Sequence, residues 1–185
     1  MERLDPKTTL ILVVDVQEKL AAGMPSDALS TLEKNTGILL DAAKVLGVSI
    51  LASEQYPKGL GATLPSIGER LTSLGVTPMA KMSFDACSDL AIARALSSRA
   101  PRSVVVVGME THVCVFQTAR ELVKRGYATH VVSDAVTSRK NKNKKLGLSL
   151  CERAGAVITG TETVVFDLLG SAGTDAFKAV SKLVR

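Results

Sequence analysis

The chain has 185 residues, 46% hydrophobic but only 3% aromatic, and a net charge of +5. That fits one domain, residues 1–185, around an aliphatic core of Val, Ile, Leu and Ala. No apolar run approaches the roughly 20 residues that span a bilayer, and Met1-Glu2-Arg3-Leu4-Asp5-Pro6 has the pattern of neither a secretory leader nor a transit peptide, so a soluble cytoplasmic protein is expected, a mitochondrial location staying open.

Thr9-Leu10-Ile11-Leu12-Val13-Val14 predicts a buried strand over 8–15 that closes on Asp15. Leu29, Leu32, Leu39, Ala43 and Leu46 then recur at helical spacing, with Ser30 and Glu33 fitting a capping box and Gly47 as the stop. A strand over 48–53 leads into the turn-rich Glu54-Gln55-Tyr56-Pro57-Lys58-Gly59-Leu60-Gly61, read either as a plain connection or as a pocket lid. A third strand near 76–80 precedes Lys81, and a helix from about 86 to 98 precedes a strand over 103–108. Thr111 is the expected N-cap of the next helix, which carries Cys114 in its first turn and ends at Lys124-Arg125-Gly126. Strands near 128–133 and 155–159 flank a helix over 142–154, and a helical pair over 162–169 and 174–183 follows. Short aliphatic strands alternating with helices predict an α/β fold whose parallel sheet is covered on both faces.

Three chemistry-bearing residues fall at or just beyond the ends of apolar runs: Asp15, Lys81 and Cys114. In open α/β sheets the carboxyl ends of the strands form the binding crevice. If the first and fourth strands are central neighbours, Asp15 and Cys114 both face that crevice and Lys81 can reach it. Lys81 and the helix dipole would then lower the thiol pKa of Cys114, Asp15 would act as general base and then general acid, and backbone N–H groups of the Cys114 turn would receive an oxyanion. A lone cysteine is more often a small buried hydrophobe, and Cys87 and Cys151 are read that way.

Three cysteines at unequal spacing form neither a disulfide framework nor a zinc pattern, and His112 and His130 are not at a ligand spacing. No metal and no cofactor are expected. Arg139-Lys140-Asn141-Lys142-Asn143-Lys144-Lys145 holds five cations, and without them 18 cations balance 18 anions. The segment is read as a solvated helix start or surface loop, with phosphate or nucleic-acid contact as the lesser alternative because it holds no aromatic to stack a base.

Leu12-Val13-Val14-Asp15-Val16-Gln17, Ala80-Lys81-Met82-Ser83-Phe84 and Val107-Gly108-Met109-Glu110-Thr111-His112-Val113-Cys114-Val115 resemble the three signature segments of the isochorismatase-like cysteine hydrolases, and Ser133-Asp134-Ala135 matches the usual end of the next strand. The resemblance spans roughly residues 8–165. It implies a Rossmann-like three-layer α/β/α fold with a six-stranded, mainly parallel sheet and an Asp15–Lys81–Cys114 triad. It further implies a cis peptide at Met109–Glu110 and an oxyanion hole from the N–H groups of Glu110 and Cys114. Gln17, Tyr56 and Phe84 are the expected substrate-lining residues. The metal-binding nicotinamidase branch carries Asp-x-His after the second strand, where this chain has Ser53-Glu54-Gln55-Tyr56-Pro57-Lys58-Gly59-Leu60-Gly61, so the resemblance is to the metal-free branch. It implies a small-molecule substrate, cleavage of an amide, carbamoyl or ureido C–N bond through a thioester, and a homo-oligomer. A nucleic-acid-binding protein or ribonuclease, a vinyl-ether hydrolase, and an inactive oligomeric scaffold are the alternatives.

Overall fold

The structure, a computed structural model, describes residues 3–184. Met1 and Glu2, where the reading of the amino terminus begins, and Arg185 lie outside the described residues. Strands β1 (Thr9–Val14), β2 (Ser49–Gln55), β3 (Met79–Lys81), β4 (Ser103–Met109), β5 (Ala128–Thr137) and β6 (Val157–Thr159) form one parallel sheet in the order β3-β2-β1-β4-β5-β6. Between and after them run helices α1 (Glu18–Ala21), α2 (Ser26–Leu46), α3 (Pro57–Leu60), α4 (Pro65–Ser73), α5 (Leu90–Arg99), α6 (Phe116–Lys124), α7 (Asn141–Arg153), α8 (Thr161–Leu169) and α9 (Asp175–Val180). This is a Rossmann-like three-layer α/β/α arrangement, as expected. Among the described residues no helix is long and apolar enough to cross a membrane.

Alternation along β1 divides the core. Ile11 and Val13 join Val105 and Val107 in a cluster closed by Leu39 and Leu40 of α2 and Val164 and Leu168 of α8. Leu10, Leu12 and Val14 point the other way, with Val104 and Val106, onto Ile92 of α5, Leu122 of α6 and Cys151 of α7. Every residue of β1 is therefore buried, which is why its sequence reads as unbroken aliphatic rather than alternating.

Chain order reverses between β1 and β4, which are paired from Thr9–Ser103 to Val14–Gly108. The expected adjacency holds, so the crevice of the fold opens beyond Val14 and Met109.

Some boundaries differ from the sequence reading. Ser30 and Glu33 form no capping box, because α2 already begins at Ser26 behind Pro25 and Glu33 accepts a hydrogen bond from Ser66 of α4. Helix α4 was not expected; it is amphipathic over only nine residues and buries just Ile67 and Leu71. The helix expected from residue 86 is a 3₁₀ turn, Ala86–Ser88, broken from α5 by Asp89, whose carboxylate caps α5. Strand β5 continues to Thr137, its register against β4 jumping from Val106–Val131 to Gly108–Val136 so that Val132–Ala135 drop out of the pairing with β4. There Asp134 accepts the N–H and hydroxyl of Thr161 at the start of α8, both at 2.9 Å.

Candidate active site

Two of the three expected residues are delivered by the end of a strand. β1 gives way at Asp15, a non-glycine residue at φ 52° whose side chain is fully buried. β3 ends on Lys81, equally buried, with its Nζ 2.7 Å from Asp15 Oδ2. An ion pair removed from water on both sides persists only if its remaining donors and acceptors are also matched. They are. Ser53 Oγ donates to Asp15 Oδ1 at 2.7 Å. Lys81 Nζ reaches Gln55 Oε1 at 2.7 Å and the carbonyls of Ser83 and Phe84 at 3.1 and 3.2 Å.

Beyond β4 the Met109–Glu110 peptide is cis. Glu110 directly precedes the turn, and Thr111–Val115 forms a π-helical turn that passes into α6. Thr111 is thus the first residue of that turn rather than its cap, and its buried hydroxyl has no hydrogen-bond partner. Such π turns concentrate at functional sites. Cys114 lies in the turn, 5% exposed.

The electrostatics correct one expectation. Burial first, then the Asp15 carboxylate and its hydrogen bond, and last Glu110 push the Cys114 thiol up to about 12, against the opposing pull of Lys81. The expected lowering of the thiol pKa does not occur, because two carboxylates and desolvation outweigh one ammonium that is already matched to Asp15. At neutral pH the sulfur is therefore a neutral thiol beside the Asp15 carboxylate.

The three expected lining residues part company. Gln17 is completely buried. Its amide ties β1 to β2, accepting from the Gln55 N–H at 2.7 Å and donating to the carbonyls of Gln55 and Gly61 at 3.0 and 2.7 Å, so no part of it is left for a ligand. Tyr56, at φ 38°, is half-exposed, with its ring over Gly59. Phe84 is 53% exposed while its carbonyl holds Lys81. A cavity of about 590 Å³ opens by the β3 edge between Pro57, Met82, Asp89 and Leu90; of Asp15, Lys81 and Cys114, only Lys81 lies on its wall.

Sequence reasoning missed the polar support. Ser53 and Gln55 alternate at the end of an otherwise apolar strand, a period-two signal that was readable. Glu110 pairs with Arg139 at 3.1 Å and accepts its N–H at 2.9 Å. His112 touches Ser138 at 3.0 Å and Asn143 at 3.3 Å. These contacts bind the turn before Cys114 to the start of α7. Glu54 is engaged by the N–H and hydroxyl of Thr63, both at 2.7 Å. Among the described residues no group of three or more His, Cys, Asp or Glu side chains could hold a metal ion.

Comparison with known proteins places this geometry. A family model described as the isochorismatase domain matches residues 9–163. A secreted isochorismatase effector of Phytophthora sojae is 37% identical over 99% of this chain and 87% of its own length. A solved structure of a MAR1 ribonuclease from Caenorhabditis elegans superposes with a TM-score of 0.91 at 34% identity, covering 99% of this chain and 92% of that one. At the level of fold alone, YcaC of Escherichia coli, described as an octameric hydrolase of unknown specificity, aligns with a TM-score of 0.88 at 21% identity, over 98% of this chain and 88% of that one. A pyrazinamidase/nicotinamidase of Streptococcus mutans aligns at 0.69 and 19% identity, over 81% of this chain and 99% of that one.

Proposed function

The chain belongs to the isochorismatase family, and on that premise we propose that it is a cysteine hydrolase cleaving a small, uncharged amide, carbamoyl or ureido C–N bond through a thioester. The observation that carries this reading is the fully buried Asp15–Lys81 pair acting on a protonated Cys114 thiol.

Asp15 takes the thiol proton as Sγ attacks the substrate carbonyl carbon, and Lys81 keeps the carboxylate aimed. The carbonyl oxygen becomes an oxyanion received by the N–H groups of Glu110 and Cys114. Collapse breaks the C–N bond, and Asp15 returns the proton to the leaving nitrogen. Water then attacks the thioester, losing a proton to Asp15, and the departing sulfur regains it as the acid is released. Lys81 and Arg139 are each matched by a carboxylate, so neither offers a spare charge to an anionic substrate, which favours neutral amides over a vinyl-ether dicarboxylate. A nicotinamidase among the fold neighbours agrees with amide chemistry.

Intact-mass measurement after incubation with a panel of small neutral amides and ureido compounds tests the reading. It requires a Cys114 adduct that is absent from Cys114→Ala, and undiminished turnover by Cys114→Ala ends it. We further propose a homo-oligomer, in keeping with the octameric YcaC; a monomer in sedimentation removes that part. Three buried, free thiols suit a reducing, cytoplasmic setting.

A second reading is favoured by one feature. α7 starts without a side-chain cap and without an acidic residue in its first turn, and among the described residues Lys140, Lys142, Lys144 and Lys145 make no salt bridge. That start could hold a phosphate backbone, as the similarity to a ribonuclease suggests. Binding of single-stranded RNA that weakens steeply with salt and disappears when those lysines are neutralised supports it; salt-independent or absent binding dismisses it.

A further inference from the structure

The Asp15–Lys81 pair does not hold itself in place. Lys81 Nζ has three N–H groups and four acceptors around it. Gln55 ties that ammonium to the loop from the β2 side: its Oε1 accepts from Lys81 Nζ at 2.7 Å while its Nε2 donates to the Met82 carbonyl at 2.7 Å. The amide can sit only one way round. An ammonium only donates and a carbonyl only accepts, so both neighbours fix the same orientation. The Gln55 backbone is fixed in turn by the Gln17 amide on its N–H and C=O. The residue is only 7% exposed, and each end of its amide is already engaged by a neighbour.

We propose that Gln55 is the positioning residue of the site, clamping the Lys81 ammonium between Asp15 and the Met82–Phe84 loop and so setting where the cation stands relative to Cys114. The proposal rests on the reading of Cys114 as nucleophile, but its test does not need turnover. The charged groups bearing on Cys114 are Asp15 after β1, Lys81 at the end of β3, and Glu110 before the π turn, the last held by Arg139. None of these is itself replaced when Gln55 is changed, and Gln55→Met adds no charge to them. A residue that merely filled space would change stability and leave the reactivity of the sulfur alone.

The experiment measures the rate of Cys114 alkylation by iodoacetamide across pH, read by intact mass and peptide mapping, with Cys87 and Cys151 as internal references. Gln55→Glu places a second anion against Lys81, which weakens the cation's pull on the sulfur. It is expected to slow alkylation about tenfold at a given pH, because a thiol that titrates about one pH unit higher holds a tenfold smaller fraction of thiolate. Gln55→Met keeps the length, removes the acceptor on Lys81 and frees the loop; alkylation is expected to slow about threefold as the ammonium drifts away. Rates within about twofold of the parent protein in folded Gln55→Glu overturn the proposal, since the cation's place would then not depend on the amide. If Gln55→Glu does not fold, Gln55→Met decides by the same criterion with an unchanged rate as the overturning result. A null result here leaves the hydrolase reading standing on its adduct test, and loss of that adduct test leaves the alkylation result standing here.

Discussion

Gly108 faces the Val14 carbonyl so closely that a β-carbon on it would stand 2.0 Å from that oxygen. The same residue has φ +121°, outside the reach of L side chains. It is the last residue of β4 to pair with β1, so the close approach of these two strands is what brings Asp15 and the Cys114 turn to one crevice. Gly108→Ala is expected to cost several kcal/mol, about 3 or more, from combined backbone strain and overpacking. Urea unfolding measures it, and a loss below about 1 kcal/mol contradicts the packing described.

Gly147 of α7 presents the second close approach. A β-carbon there would stand 2.6 Å from the Thr111 carbonyl carbon and 2.7 Å from the His112 nitrogen. These are backbone atoms of the π turn and cannot swing aside. Gly147→Ala should therefore push α7 off the turn, lowering stability by about 1–3 kcal/mol and altering the alkylation rate of Cys114. A variant with parental stability and parental Cys114 reactivity would show that the contact is slack.

The Asp15–Lys81 pair predicts asymmetric mutational costs. Lys81→Met leaves a buried carboxylate without its partner, and breaking a buried pair costs about 3–5 kcal/mol. Lys81→Met combined with Asp15→Asn removes both charges and should recover a large part of that loss. Neither variant should form the Cys114 adduct. Chemical denaturation of the two proteins side by side tests the first point, and equal stability of single and double variants refutes it.

Stability should also fall on the alkaline side. Cys87, Cys114 and Cys151 are each pushed from 9.0 up to about 12, burial being the largest cause in all three. Between those values the folded chain keeps protons that the unfolded chain releases. The contribution is therefore fully present below about pH 9 and is lost as pH rises from there towards 12, by about 1.4 kcal/mol per pH unit for each thiol. Cys151→Ala should flatten the decline of urea midpoint with pH relative to the parent, and superimposable slopes reject the argument. His130 runs the other way: burial lowers its pKa against the pull of Asp167, so its contribution is lost as pH falls through the ordinary histidine range.

Much of the fold was legible because buried parallel strands advertise themselves. Thr9–Val14 and Ser103–Met109 are aliphatic on both faces, and both were found nearly to the residue. α4 escaped notice because two buried residues on nine make too thin a stripe, and the end of β5 because its bulge breaks the period. Cysteine, lysine and aspartate at strand ends could be picked out as candidates, since strand ends are where a parallel sheet meets solvent. The support around them could not: Gln17 looks the same in sequence whether it faces a ligand or, as here, spends its amide on Gln55 and Gly61.

The linear order of residues determined which strands exist, which are buried on both faces, and which three side chains arrive at their carboxyl ends, because hydrophobic periodicity is a local property. Only the folded arrangement decided the charge state of the sulfur. A thiol beside one free ammonium would ionise readily, yet Lys81 arrives already neutralised by Asp15 and desolvated with it, so the field at Cys114 is a sum over groups far apart in the chain. Coulombic attraction and desolvation depend on distance and burial, and neither is written in the sequence.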